Sequence, residues 1–466
     1  MRKTKIICTL GPATEKAAIL RHLIQKGVDV VRVNMSHATH TWVRQMAPRI
    51  RRLAHSAGRP VALLLDTQGP AIRTGDVKEN LRLEPGDLLE FTVCGAKQSR
   101  PHSIRVNYPG FVQDVSPGDT ILVDNGLIKL KVTRKRRNRV LCEALTAGVL
   151  GSRRHINLPG VHVRLPPLTP KDMADISLGA ELGADFIALS FVREKSDIEK
   201  LRKLLSRKKS KAQIVAKIED QVAVRSIDKM IDAADVIMVA RGDLGIECPM
   251  EDLPIIQRRI VKKCIGAGKP VIVATQLLES MINNPLPTRA EVTDVANAVY
   301  EQADALMLSG ETSIGQYPVE CLEVLNRVAL RIERSGGAGY AKDAQLENVR
   351  QKTVAAAVAL ANSLPDSKLV VFTLQGRMAR YTANLRPERA PIFAFTPSDH
   401  VRRQLALYWG IFPVQIPFTG ADETIAAAEK ILRKNKLAAA GDRMVIIADV
   451  TMGRNMIDSV QLRVIQ

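Results

Sequence analysis

Residues 213–243 read QIVAKIEDQVAVRSIDKMIDAADVIMVARGD. Two short apolar runs, Gln213–Ala216 and Val236–Val239, bracket this stretch, and a polar group follows each: Lys217 and Glu219 after the first, Arg241, Gly242 and Asp243 after the second. Runs this short, rich in β-branched residues and apolar throughout, read as strands buried on both faces, which belong to parallel sheets. The same unit recurs along the chain. Lys5–Cys8, Val28–Val33, Val61–Leu65, Phe186–Leu189, Val271–Ala274 and Ala305–Leu308 are further strand candidates, bounded by Gly, Pro, Asn or Asp. Amphipathic segments lie between most of them: Thr14–Gln25, Pro254–Ala267 and Pro318–Ile332, the last two opened by a proline suited to a first helical turn. Eight such units predict an α/β fold with a (β/α)8 TIM barrel, the alternative being a doubly wound open sheet.

The rhythm breaks twice. After Pro70 short extended segments alternate with turn signals such as Glu84-Pro85-Gly86-Asp87 and Asp124-Asn125-Gly126, until the proline-rich exit Arg164-Leu165-Pro166-Pro167. This predicts an inserted β-rich domain. Ser335-Gly336-Gly337-Ala338-Gly339 reads as a linker, beyond which Lys368–Phe372, Ile392–Phe395 and Met444–Ala448 are strand-like. The expected division is residues 1–69 plus 168–338 for the barrel, 70–167 for the insert and 339–466 for a C-terminal α/β domain.

Composition narrows the class. A chain of 466 residues with 46% hydrophobic and 25% charged residues excludes disorder, collagen-like repeats and a disulfide mini-scaffold. The formal charge of +20 points to a nucleic-acid binder or a handler of small anions, and only 4% aromatics argues against single-strand stacking platforms. The clusters Arg134-Lys135-Arg136-Arg137, Arg49 to Arg52 and Arg207 to Lys211 read as solvated surface, with nucleic-acid contact the minority reading. Six scattered cysteines without a CxxC pair are expected to be buried thiols in a reducing compartment. With no signal-like or membrane-length apolar segment, the expectation is a cytoplasmic protein.

In such a barrel the chemistry sits at the C-terminal ends of the strands. Those positions carry Arg32, Asn34, Ser36 and His37; Asp66, Thr67 and Arg73; Lys217 and Glu219; Gly242 and Asp243; Thr275; and Ser309 to Glu311. A lysine beside two carboxylates suits a divalent cation such as Mg²⁺, which accepts one or two protein carboxylates and leaves room for phosphate and water. With Arg32 and Arg73 nearby, this is an inventory for phosphoryl transfer. Each element alone has a plainer reading: an ion pair for Lys217 and Glu219, a helix cap for Asp66-Thr67, a turn for Arg241-Gly242-Asp243. Convergence on one barrel mouth is what favours chemistry. There is no Walker A motif, kinase glycine loop, HExxH motif or evident triad.

At these residues the sequence resembles the pyruvate kinases. KTKIICTLGPAT, VVRVNMSHA, LDTQGPAIRTG, PGDTILVDNGLI, GSRRHINLPGV, AKIED, IMVARGDLGIE, ATQLLESMI, PTRAEVTDVANAV and MLSGET follow one another in the family's order. The resemblance implies a TIM barrel, an inserted β-barrel lid and a C-terminal regulatory domain, and transfer of the phosphoryl group of phosphoenolpyruvate to ADP. It also implies roles. Arg32 and Arg73 hold phosphates; Lys217 stabilises the transferring group; Glu219 and Asp243 bind Mg²⁺ or Mn²⁺. Asn34, Ser36, Asp66 and Thr67 bind K⁺. The backbone of Arg241, Gly242 and Asp243 and the hydroxyl of Thr275 receive the substrate carboxylate. Asn34, His37, Arg73 and Arg154 approach the nucleotide, and a water near Thr275 is the expected proton donor. A homotetramer is implied as well. An inactive, polyanion-binding paralogue and a barrel performing aldol or carboxyl chemistry are the rival readings; the complete set Arg32, Arg73, Lys217, Glu219, Asp243 and Thr275 speaks against the first, the insert and the C-terminal domain against the second.

Four departures from the family pattern stand out. Gln68 replaces a lysine and Ala71 a glutamate that tracks K⁺ dependence, so K⁺ binding with weakened or altered dependence is expected. At the lid hinge Arg154-His155 replaces Lys-Gly, and histidine lacks glycine's backbone freedom. Thr373-Leu374-Gln375-Gly376-Arg377 is poor in the hydroxyls that cradle an effector phosphate. Met452-Gly453-Arg454-Asn455-Met456 lacks the usual Thr-Asn ending. Activation by fructose bisphosphate of the usual kind is therefore not expected, although an effector bound through Arg377, Arg380 or Arg454 stays open.

Overall fold

The computed structural model describes residues 1–93, 102–452 and 455–466; Cys94, Gly453 and Arg454 lie outside the described residues. Eight parallel strands close into a barrel in chain order: β1 (Lys5–Leu10), β2 (Val30–Asn34), β3 (Ala62–Asp66), β4 (Phe186–Leu189), β5 (Gln213–Ile218), β6 (Val236–Ala240), β7 (Val271–Ala274) and β8 (Ala305–Leu308). Closure, with Lys5 opposite Ala305, excludes the open sheet. The period-2 alternation of each strand divides its side chains between two cores. Ile6, Cys8, Val31, Val33, Leu63 and Leu65 face the surrounding helices, whereas Ile7, Val30, Ala62, Leu64, Phe186 and Val215 belong to a second cluster that fills the barrel and runs on into the C-terminal domain. That double burial is why the strands are apolar without interruption.

The first helix is shorter than its pattern predicts, Ala17–Lys26 rather than Thr14–Gln25. Thr14 is instead held in a turn: its Oγ1 donates to Thr312 O at 2.9 Å, and its N–H to Gly11 O at 2.9 Å. The insert, entered after Pro70, builds a six-stranded sheet and a separate two-stranded one around an apolar core that includes Phe91 and Phe111. The C-terminal unit is a five-stranded sheet in the order Ile411–Gln415, Ile392–Thr396, Ser367–Phe372, Arg443–Met452, Asn455–Val464, parallel except for its last pair.

Buried ion pairs join this unit to the N-terminal end of the barrel. Asp185, just before β4, receives Arg403 Nε at 3.0 Å and Arg51 Nη2 at 2.9 Å. Asp304, just before β8, receives Arg386 Nη2 at 2.7 Å and the Trp409 backbone N–H at 3.1 Å. Several basic residues are thus structural: Arg51 in this joint, Arg49 through Glu15 O, and Lys135, whose Nζ donates to Val112 O and Val115 O at the end of a short helix. Among the described residues no helix is long and apolar enough to cross a membrane, and Cys8, Cys142, Cys248, Cys264 and Cys321 are buried free thiols.

Candidate active site

The C-terminal ends of the barrel strands and the facing loops of the insert enclose a cavity of about 410 Å³. Its floor is an ionic cluster of three barrel strands. Asp66, at the end of β3 and 0% exposed, accepts Arg32 Nε and Nη2 of β2, both at 2.7 Å, and faces Lys217 Nζ of β5 at 3.3 Å. Lys217, 9% exposed, is 2.7 Å from Glu219 Oε1 and donates to Ser190 Oγ at 2.8 Å. Glu219, 1% exposed, takes the backbone N–H of Phe191 on its other oxygen at 2.5 Å.

The electrostatics follow from burial and pairing. Burial disfavours the Lys217 ammonium, but Asp66, Glu219 and Asp243 outweigh it and hold the group protonated. Burial likewise opposes the Asp66 carboxylate, and Lys217 and Arg32 hold it below the usual range. For Glu219, burial wins: it and the nearby Asp243 push the carboxyl up against the pull of Lys217. A buried carboxyl with raised pKa beside a second carboxylate is a place where added positive charge is favourable. Among the described residues no three His, Cys, Asp or Glu side chains gather into a self-sufficient metal cage. Two hard carboxylates lining a roomy pocket fit instead an ion that completes its shell with substrate and water.

The wall at β6 and β7 is held under strain. Thr275 has φ +70°, a left-handed conformation rare for a β-branched residue, and Gln276 follows at +55°. Arg241, 6% exposed, holds Thr275 there by donating Nη2 to its carbonyl at 2.6 Å, while Asp294 fixes the guanidinium from the other side at 2.7 Å. Strain of this kind persists only where neighbours over-determine it. The Thr275 hydroxyl accepts the Gly242 N–H at 2.7 Å and donates to Ala274 O at 2.6 Å. A Cβ at residue 242 would stand 3.3 Å from that hydroxyl, a tight approach that glycine avoids at the start of the helix Arg241–Glu247.

From the insert, Arg73 reaches Arg153 O with Nη1 at 3.1 Å, and Arg154 pairs with Asp124 at 3.3 Å. The structure therefore brings Arg32, Asn34, Ser36, Thr67, Arg73 and Arg154 to one cavity with Lys217, Glu219 and Asp243. Asp66 lies beneath it and Thr275 with Gly242 beside it, whereas the exposed His37, in the turn after β2, is not part of the lining. Asn34 Oδ1 is occupied by the Ser36 backbone N–H at 3.1 Å. The hinge departure also resolves. The left-handed position is Arg153, at φ +56°, so His155 is not required to imitate glycine; burial keeps its imidazole below the ordinary range, and its ring centroid lies 6.0 Å from that of Phe191.

Spacing alone did not single out Ser190, Phe191 and Thr9. Ser190 joins Thr67, Asp66 and Lys217, and Thr9 Oγ1 accepts Arg32 Nη1 at 3.0 Å. Both residues lie at the C-terminal ends of strands, Ser190 just past β4 and Thr9 in β1, so the rule applied to the other six strands identifies them. Asn157 and Glu247 are a further pair: Asn157 Nδ2 donates to Glu247 Oε1 at 3.0 Å, tying the end of the insert to the helix Arg241–Glu247. Burial, aided by Asp220 and Asp243, pushes the Glu247 carboxyl up to about 7.

Known proteins resemble this chain along nearly all of its length. Residues 1–322 match the family described as pyruvate kinase, barrel domain, and residues 351–461 match pyruvate kinase, alpha/beta domain. The chain is 42% identical over 464 residues to a pyruvate kinase of Geobacillus stearothermophilus, covering 97% of this chain and 78% of that one. It is 37% identical to a pyruvate kinase of Clostridium perfringens, covering 98% and 99%, and 40% identical to plastidial pyruvate kinase 2 of Arabidopsis thaliana, covering 97% and 78%. The crystal structure of a pyruvate kinase from Cryptosporidium parvum superimposes with a TM-score of 0.94 at 33% identity, over 100% of this chain and 96% of that one. With the barrel, the ionic floor and both domain matches in agreement, the chain belongs to the pyruvate kinase family, metal-requiring phosphotransferases that move the phosphoryl group of phosphoenolpyruvate to ADP.

Proposed function

We propose that this chain makes pyruvate and ATP with Lys217 as the group facing the transferring phosphoryl. The observation that carries the assignment is the buried Lys217, fixed by Asp66, Glu219 and Ser190 so that its charge meets the cavity already oriented. Charge that is positioned before the reaction stabilises a phosphoryl transition state without reorganisation. Arg32 and Arg73 hold phosphate oxygens from the barrel and the insert sides. Glu219 and Asp243 would hold Mg²⁺ or Mn²⁺, which when bound supplies neutralisation of phosphate and enolate charge. The Gly242 N–H and the Thr275 hydroxyl, now bonded to each other, are both available to a substrate carboxylate that replaces that bond. A water ordered by Thr275 would protonate the enol.

K⁺ at Asn34, Ser36, Asp66 and Thr67, ADP beside Arg73 and Arg154, and a homotetrameric assembly in the cytoplasm complete the proposal, as do the boundaries at residues 70, 168 and 339. His37 reaches the nucleotide only if the turn after β2 closes over it. Closure of the insert would exclude water from the cavity. The test is pyruvate formation from phosphoenolpyruvate plus ADP with Mg²⁺, with and without K⁺, for the wild type and Lys217→Ala. Absence of wild-type turnover in every condition would sink the activity; undiminished turnover in the variant would sink the role of Lys217.

A further inference from the structure

Seven of the twelve residues 128–139 are Lys or Arg, and none is acidic. They belong to a hairpin of the insert, strands Ile128–Arg136 and Arg139–Ala144. We propose that this hairpin grips the phosphate backbone of a nucleic-acid duplex, whatever its base sequence.

The pleat sorts the charges. Leu130 and Val132 join Val140 and Cys142 in the apolar core of the insert, so Lys129 and Lys131 stand on the outer face, both exposed. Strict alternation would then turn Arg134 and Arg136 inward. It is broken at Thr133: Val132 lies opposite Cys142, and Arg134 opposite the next residue, Leu141. The extra residue makes a β-bulge, which returns Arg134 and Arg136 to the face of Lys129 and Lys131. Lys135 turns the other way, where its Nζ donates to Val112 O and Val115 O at 3.2 and 2.8 Å. The row Lys129, Lys131, Arg134, Arg136 thus advances about 7 Å per cation, comparable with the step between successive phosphates of a nucleic-acid strand. Arg137, exposed in the turn, extends it.

Little on the protein neutralises this row. Among the described residues, none of the five charged groups has an ion-pair or hydrogen-bond partner. Arg139, by contrast, pairs with Glu90 at 3.2 Å. The one carboxylate on the two strands is Glu143, opposite Lys131. Arg136 faces Arg139 directly across the hairpin, and like charges in that position are unfavourable until an anion comes between them.

The surroundings select the partner. Around Arg134, Arg136 and Arg137 no described aromatic or large aliphatic side chain is exposed. A protein partner would find no apolar anchor there, and a single strand no surface on which to stack its bases. A duplex needs neither, because its phosphates are already held in a row and charge alone supplies the binding. The basic tip lies roughly 25–30 Å along the strand from the turn Asp124-Asn125 that lines the catalytic cavity, so a bound duplex leaves that cavity open.

Residues 200–211 supply the control. They are as basic by count, seven Lys and Arg in twelve residues without an acid, but they close a helix and form no such row. The full-length protein is titrated into a fluorescein-labelled, mixed-sequence DNA duplex of about 20 base pairs and followed by anisotropy, with an RNA duplex as a second arm. At least one duplex is expected to bind, its affinity falling about a hundredfold between about 50 and 200 mM KCl, the dependence of roughly four phosphate contacts. Arg134→Gln, Arg136→Gln and Arg137→Gln together should weaken binding about tenfold or more at low salt and flatten the salt dependence. Arg207→Gln, Lys208→Gln and Lys211→Gln together remove the same charge and should leave the affinity nearly unchanged. Turnover of phosphoenolpyruvate and ADP, retained by both triple variants, shows that they are folded. No binding to either duplex, equal weakening by the two triple variants, or tighter binding of a single strand or of polyglutamate than of the duplexes would overturn the proposal.

Discussion

Replacing Lys217 by methionine separates what this side chain does for the fold from what it does for the reaction. The substitution leaves Glu219 with one partner, the Phe191 N–H, while Asp66 keeps both bonds from Arg32. Breaking a buried ion pair from one side costs about 3–5 kcal/mol, because the remaining charge stays desolvated. Glu219 is 1% exposed, so little solvent screening reduces that figure. The cost depends on pH. With Lys217 gone, nothing opposes burial, and the Glu219 carboxyl rises further above its unfolded value. A group whose folded pKa is raised stabilises the fold at low pH, and that stability is lost as pH rises through the folded value. Lys217→Met is therefore expected to lose little at acidic pH and about 3–5 kcal/mol at alkaline pH. Adding Glu219→Gln removes the orphaned charge and recovers the stability to within about 1 kcal/mol of wild type, without restoring turnover. Urea unfolding followed by circular dichroism in metal-free buffer, run on both single variants and the double, reads these values. A Lys217→Met variant as stable as wild type at alkaline pH, or a double variant no more stable than the single, would refute the reasoning that this lysine compensates buried carboxylates.

Thr275→Gly relieves a left-handed conformation worth about 1–3 kcal/mol while deleting the hydroxyl, so the variant is expected to melt no lower than wild type and to turn over more slowly, with Thr275→Ser keeping most of the rate; melting curves and steady-state kinetics check both. Glu247 has its carboxyl near 7 when folded and a lower value once the hinge opens, so opening becomes easier as pH rises from about 5 to 7 and then levels off; amide exchange at residues 153–158, corrected for intrinsic rates, should show that rise, and Glu247→Gln should flatten it. K⁺ is expected to stimulate turnover, and Ala71→Glu to steepen the response; a coupled assay with K⁺ replaced by tetramethylammonium measures it, and equal rates with and without K⁺ would count against the cation site.

Much of the barrel is legible in the chain because each strand is buried twice. Uninterrupted apolar runs such as Phe186–Leu189 and Ala305–Leu308 leave no other reading once they alternate with helices, and their ends coincide with the observed ones. The ionic floor is legible for the same reason: a lysine directly after Ile214, Val215 and Ala216 has only the barrel mouth to face. Three kinds of feature are not visible in this way. The start of the first helix depends on Thr14 bonding to Thr312, about 300 residues away, which no local pattern encodes. The left-handed Thr275 runs against its β-branched propensity and exists only because Arg241 and Asp294 enforce it. The backbone of the hinge does not follow from the glycine position, because the left-handed residue, Arg153, stands two places before His155.

The helix Arg241–Glu247 is moored at both ends, to Asp294 and the Thr275 carbonyl at its start and to Asn157 at its finish. Between the moorings it presents Asp243 to the cavity. An engineer exchanging the insert for that of a relative would thus be replacing one of the two cables that set the depth of this carboxylate. A chimera whose donor segment ends before residue 157 keeps the cable; one whose donor segment runs past it keeps it only if the donor brings an amide at the same place. Grafts that fold well yet lose turnover should be sorted first by what they put opposite Glu247.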